Sequence, residues 1–310
     1  MKRILVVSYS QTGQLTRILD NLLAPLEAAG DVAVVREALQ PQPAYPFPWT
    51  ALAFTDVFPE SVQQWPCRLA PPTFDPAADF DAVILAYTVW YLSPSLPVTA
   101  FLQSPEAARV MRGRPVITLI GCRNMWLLAQ EKVKAAIVQN GGRPAGNIVR
   151  MDRAANLSGV VSIAYWMLTG RKERFLGIFP RPGVSEADIA ATARFGRPLQ
   201  AALASGDWSG LQPRLNRLGA APVVPAYILF ELRIAKIFQV WARFIRRKGG
   251  PGDPARNGRL RLFRAYLLTA VFLLAPVATV ATAVLQRLKK EKLLKMVTHF
   301  AENRTGPLEG

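Results

Sequence analysis

Histidine is almost missing from this chain: His299 stands alone among 310 residues. With one imidazole near the C-terminal end, a Ser-His-Asp triad, a Cys-His dyad and a histidine-based zinc site are effectively excluded, and no metal is expected. Cysteine is nearly as scarce. Cys67 and Cys122 lie far apart and form no CxxC pair, so a disulfide framework is not expected and a reducing compartment is. Long apolar sequence is absent from the N-terminus, where Ile4–Val7 is too short for the apolar core of a signal peptide. The bulk of the protein is therefore expected in the cytoplasm.

Acidic residues are also few, at 21 Asp+Glu against 38 Lys+Arg, a formal net charge of +17. The imbalance is local. Residues 1–205 carry 20 basic and 15 acidic side chains, whereas residues 206–310 carry 18 and 6. In that second part the basic residues flank long apolar stretches, with few isolated aromatics to stack on bases. This favours a membrane surface over nucleic acid as the partner.

What is present first is an alternation. Residues 3–9 form a short apolar run suited to a buried strand, and 14–29 place Leu15, Ile18, Leu19, Leu22, Leu23 and Leu26 on one helical face ending at Gly30. "DVAVVREA" predicts a second strand, so the opening is β-α-β with a right-handed crossover. Residues 40–78 interrupt with prolines and aromatics, a long insertion of the kind that is often functional. Strands then follow at "FDAVILAYTVWYL", "RPVITLIGCRNMW" and "GGRPAGNIVRMD", with helices near 96–110 and 127–139. Residues 186–204 offer a closing helix that Pro198 interrupts. The expected fold is α/β, a doubly wound parallel five-stranded sheet over residues 1–205.

Residues 206–310 read as a mostly helical, apolar and basic extension. A long helix is predicted over 221–248, a Gly/Pro/Arg linker over 249–259, and then Ala265–Gln286 runs 22 positions without a charge. At about 1.5 Å per residue that run is long enough for a hydrocarbon core of roughly 30 Å. A spanning helix, a half-buried or hairpin insertion, and a helix packed on the domain all remain open, and Pro276 in the middle suits a kink or a re-entrant shape. Arg259, Arg261 and Arg264 precede the run and Arg287, Lys289 and Lys290 follow it, which gives no orientation. Residues 222–290 are expected to hold the protein on a membrane surface, on the inner face of the cytoplasmic membrane.

A parallel sheet binds ligands beyond the carboxyl ends of its strands. Three loops meet there: "SYSQTGQL", "AYTVWYLSPS" and "GCRNMW". The first offers hydroxyls from Ser8, Ser10 and Thr12, a flexible Gly13, and the N–H groups that open a helix, which suit a phosphate. Lacking a lysine, it is a poor triphosphate loop and a better cradle for a phosphate monoester.

"SYSQTGQLT" after an apolar strand resembles the phosphate loop of the flavodoxin-like family, whose members hold FMN there. The resemblance covers about residues 1–200 and implies FMN contacts from Ser8, Ser10, Gln11, Thr12, Gly13, Gln14 and Leu15. It implies a ring site between Thr88, Val89, Trp90 and Tyr91 on one side and Gly121, Cys122, Arg123, Asn124 and Trp126 on the other. "SPSLPVTAFL" also resembles a family segment in which proline precedes a helix. Leu15 stands where the family frequently has a second hydroxyl residue.

The loop, the "YPFPW…DVFPES" insertion and the extension together resemble the dialkylresorcinol condensing enzymes, found with ketosynthases. This implies FMN-dependent aromatisation of a lipophilic cyclic diketone to a resorcinol, with a ketosynthase partner and with NAD(P)H as a candidate reductant. The alternatives are a cofactor-free cyclase or scaffold for a ketosynthase, and an NAD(P)H:quinone oxidoreductase. A homodimer is left open. Phe47, Trp49, Phe54 and Phe58, with Tyr45, line an acyl pocket or simply cap the sheet. Trp90, Tyr91 and Trp126 are ring-site or core aromatics. Arg123 pairs with an acid or neutralises charge on the flavin or substrate, and Cys122 reads as a buried apolar residue rather than a nucleophile.

Overall fold

The computed structural model describes residues 1–154, 156–274 and 289–308. Apolar runs form five parallel strands: β1 (Lys2–Ser8), β2 (Val32–Ala38), β3 (Ala82–Trp90), β5 (Pro115–Cys122) and β6 (Arg143–Met151). Their order is β2-β1-β3-β5-β6, with Ile4 opposite both Val34 and Ala82, and Val83 opposite Val116. A two-residue β4 (Ser93–Pro94) pairs antiparallel with the end of β3. Apart from β4, this is the strand order of a flavodoxin-like doubly wound sheet.

Side chains alternate across the sheet as the pleat requires. Leu5, Val7, Val83, Leu85, Val116 and Ile120 enter one apolar layer; Ile4, Val6, Ala82, Ile84, Ile117 and Leu119 enter the other. The second layer is filled by α1 (Gln14–Ala28), whose six predicted apolar positions are all buried, and by α9 (Gly196–Ser205) and α10 (Leu211–Arg217). The first takes α6 (Leu127–Gln139), then Ile228 of α11 (Pro225–Arg246) and Leu293, Met296 and Phe300 of α13 (Lys290–Ala301).

Four segments differ from the sequence expectation. The single helix near 96–110 is two, α4 (Leu96–Leu102) and α5 (Pro105–Met111), because Ser104 caps the second by accepting the Ala107 N–H at 3.2 Å and Pro105 occupies its first turn. The segment 186–204 forms α8 (Glu186–Ala190), a 3-10 stretch (Ala191–Phe195) and α9. Pro198 does not interrupt it, since a first-turn residue has no intrahelical acceptor for an N–H to lose. The insertion 40–78 contains α2 (Ala51–Asp56) and α3 (Phe58–Gln63). An unexpected helix, α7 (Asn156–Thr169), follows β6.

The linker is not loose. It holds a 3-10 turn (Pro254–Arg256) before α12 (Asn257–Thr269), and Arg256 is fully buried between Asp56 and Glu60. α12 passes into a π-helical turn (Ala270–Leu274); the rest of the uncharged run, with Pro276, lies outside the described residues. Among the described residues no helix is long and apolar enough to cross a membrane.

Candidate functional site

The first loop leaves β1 at Ser8 and enters α1 through Gly13, whose φ of 76° lies in the left-handed region that glycine adopts without strain. Two predicted hydroxyls cap the new helix. Ser10 Oγ accepts the Thr16 N–H at 3.2 Å, and Thr12 Oγ1 lies 3.4 Å from the Gln14 N–H. The Leu15 N–H has no acceptor among the described residues, as first-turn donors often lack one. Ser8, Ser10 and Thr16 line a cleft of about 190 Å³ with Tyr9, Gln40 and Tyr45.

Other members of the loop are engaged elsewhere. Gln11 donates to the Pro46 carbonyl at 2.8 Å, tying the loop to the insertion. Gln14 makes a reciprocal pair with Val184, accepting its N–H at 3.0 Å and donating to its carbonyl at 3.2 Å. Gly183 lies close enough that a Cβ there would meet Gln14 and Trp166 within 3 Å. The Leu15 side chain is not at the loop surface: it is 2% exposed, in the layer under the sheet, against Gly121. Leu15 therefore contributes a backbone donor only, and no side-chain contact to a phosphate.

The second loop is a tight hairpin between β3 and β4, with Val89 opposite Pro94 and Trp90 opposite Ser93. Its two turn residues, Tyr91 and Leu92, both have positive φ, 49° and 61°. That is a type I′ pattern normally given to Asn-Gly. Side-chain burial holds it. Leu92 is buried, and the Tyr91 hydroxyl donates to the Phe54 carbonyl at 2.8 Å. The Tyr91 ring faces Phe54, Phe58 and Phe238, and burial pushes its phenol far above the ordinary range. Trp90 stands edge-on among Tyr9, Tyr45 and Trp49 at 5.1–6.0 Å. Thr88, opposite Gly121 at the end of β3, has a buried Oγ1 without a hydrogen-bond partner among the described residues; so has Nε1 of Trp49.

In the third loop Cys122 packs partly buried against the core, and burial pushes its thiol well up, which makes it a poor nucleophile. Arg123 lies against α7, where a Cβ on Gly159 would meet its guanidinium at 2.6 Å; burial lowers its basicity and Asp152 opposes that. Asn124 donates to the Tyr227 hydroxyl at 3.3 Å. Trp126 is 1% exposed and meets Phe300, so it is a core residue and not a wall of the ring site.

The insertion aromatics do cluster with the hairpin, but not around one open pocket. Phe47 meets Trp166 and Trp49 meets Trp90, Phe54 and Tyr45. Phe58 is fully buried and stacks on Phe263 at 3.8 Å, so it joins the insertion to α12 rather than lining a cavity. A larger cleft, about 660 Å³, is lined by Asp152, Lys172, Pro182, Val184 and Glu186.

Two functional-looking residues were not predicted. Glu231 of α11 is fully buried, and its carboxylate accepts the Leu127 N–H at 3.1 Å and the Leu128 N–H at 2.8 Å, at the start of α6. Burial raises it to about 7 against those bonds and the charge of Lys132. Lys132 donates to Ser93 Oγ at 2.6 Å in the hairpin and is lowered by burial to about 8. One signal existed: Glu231 is the sole acid between Asp207 and Asp253, in an otherwise apolar and basic helix.

The strand order and the loop at its β1 end define a flavodoxin-like α/β protein. No protein-family model matches the chain, and no curated protein matches it. Among solved structures, a flavoprotein in complex with FMN from Lactobacillus acidophilus NCFM is similar over 49% of this chain and 94% of its own, at 14% identity and a TM-score of 0.36. A flavodoxin from the domain Archaea is similar over 66% and 99%, at 13% identity and a TM-score of 0.33. The fold assignment rests on the sheet order and not on these likenesses.

Proposed function

We propose that the protein is an FMN-dependent oxidoreductase that aromatises a lipophilic cyclic diketone to a resorcinol, in dialkylresorcinol-type biosynthesis. The observation that carries the flavin reading is a pair of features at the carboxyl ends of two neighbouring strands. A capped, glycine-started loop with an unused N–H lies after β1, and a buried hydroxyl without a partner among the described residues, Thr88 Oγ1, lies near the carboxyl end of β3. Ser10, Thr12 and the Leu15 N–H would hold the phosphate, and Thr88 would answer a polar edge of the ring.

Bound flavin supplies a hydride acceptor at N5, and it carries the redox chemistry. Aromatisation removes a hydride and a proton from the diketone; the proton, alpha to two carbonyls, is already acidic and needs no strong base. Trp90, Tyr45, Trp49 and Phe54 give this end of the sheet an apolar wall suited to an alkyl-bearing substrate. The test is titration of the purified full-length protein with FMN, read by flavin absorbance and tryptophan quenching. Saturable binding, weakened in Gly13→Ala, is expected: the substitution meets no atom within 4 Å and acts through backbone strain of about 1–2 kcal/mol. No binding at high FMN overturns the reading.

The enclosed Leu15 favours one second reading, a cofactor-free cyclase or scaffold serving a ketosynthase. Diketone conversion that persists in flavin-free protein selects it.

A further inference from the structure

The inner side of α11 is committed to the fold through Ile228, Glu231, Phe238, Ala242 and Ile245, all buried. The outer side is not. At helical spacing it presents Arg233, Lys236, Ile237, Val240, Arg243 and Arg247, all exposed; Ile237 is 42% and Val240 65% exposed. None of the four basic residues forms an ion pair with an acid among the described residues, and no acidic side chain lies in the stripe. The neighbouring α12 repeats the pattern: Arg261 and Arg264 are exposed beside Leu262 and Leu268, 54% and 52% exposed. Trp241 fixes the two helices together, at 5.5 Å from Phe263 and 5.1 Å from Tyr266.

We propose that this outer face of α11, continued by α12, is a docking surface for an anionic lipid bilayer, with the helix lying in the plane of the headgroups. The chemistry selects that occupant. Exposed aliphatic side chains with cations on both flanks match a surface whose anionic headgroups cover hydrocarbon. A nucleic acid would use the cations but leaves Ile237 and Val240 without an apolar partner, and the stripe holds no aromatic ring for a base to stack on. The charge is of one sign, as counterion attraction to a polyanionic surface requires, and it sits within residues 206–310, which hold 18 basic residues against 6 acidic. α11 also reaches the third loop through Tyr227 and Glu231, so docking would set the candidate site beside the phase in which an alkyl-bearing substrate dissolves.

Vesicle binding needs no cofactor, so its outcome is independent of the flavin reading. The experiment is co-sedimentation of full-length protein with phosphatidylcholine vesicles and with vesicles containing phosphatidylglycerol, at low and high salt. Binding to the anionic vesicles that weakens in high salt is expected. Replacing Arg233, Lys236, Arg243 and Arg247 by Gln should weaken it by roughly fivefold per residue. Ile237→Ser with Val240→Ser should weaken it further, and neither variant should shift the melting temperature, since these side chains are exposed. Equal binding to both vesicle types, or full binding by the Gln variant, overturns the proposal. So does a wild-type protein that stays in the supernatant while binding duplex DNA undiminished by the Ser substitutions.

Discussion

At the scale of single residues, Glu231 and Lys132 make opposite demands on pH. The carboxyl is raised from 4.5 to about 7, so the folded state holds its proton more tightly than the unfolded chain does. Stability from this group is full below about 4.5 and falls as pH rises to about 7, by on the order of 3 kcal/mol. Lys132 is lowered from 10.5 to about 8, so the unfolded chain binds more protons between those values and stability rises with pH there. The two windows leave a stability minimum near neutral pH. Urea unfolding of Glu231→Gln across pH 4–9 should lose the descending arm and keep the ascending one. An unchanged descending arm would assign it to other groups.

At the scale of elements, what was legible in sequence was what short-range pattern decides. The apolar run of β1, the i, i+3, i+4, i+7 spacing in α1 and the alternation through β6 come from pleat and helical period, and those elements stand where they were expected. The capped loop at Ser10–Gly13 was visible for the same reason, since turn chemistry is local. The burial of Trp126 and the Phe58–Phe263 stack were not visible, because each depends on a partner far along the chain, whereas the break at Ser104 is local, a cap and a proline inside one apolar run. Arg256 is the sharpest instance. It sits in a segment that reads as a Gly/Pro linker, yet its guanidinium donates to Asp56 at 2.7 Å and Glu60 at 2.8 Å and seats the extension on the insertion. Arg256→Met keeps bulk but leaves the buried Glu60 without its closest cation. Breaking a buried pair on one side typically costs about 3–5 kcal/mol. The expected result is a clear drop in urea midpoint, partly recovered by adding Glu60→Gln; additive losses would argue that the pair is not coupled.

For the molecule as a whole, the extension is both tail and core. Its composition suggests an appendage whose removal, from residue 222 onward, would release a soluble sheet domain. The packing argues otherwise. Leu293, Met296 and Phe300 share one apolar layer with Val133, Ile137 and Trp126. Around them, buried Lys134 lies 3.3 Å from Nε2 of His299, which is itself 3.1 Å from Glu131, and Gln130 donates to Asn303 at 2.9 Å. The one histidine is thus placed as a structural residue at the α6–α13 contact. Deleting residues 289–310 strips apolar cover from the sheet's first layer and leaves Lys134 and Gln130 with fewer partners, both costly changes. The truncated chain should melt at lower temperature, bind a hydrophobic dye and aggregate on warming. Met296→Ala, which removes apolar contact alone, should reproduce a smaller part of the loss. A truncated protein with the parent melting temperature would show that the sheet domain closes its own core without α13.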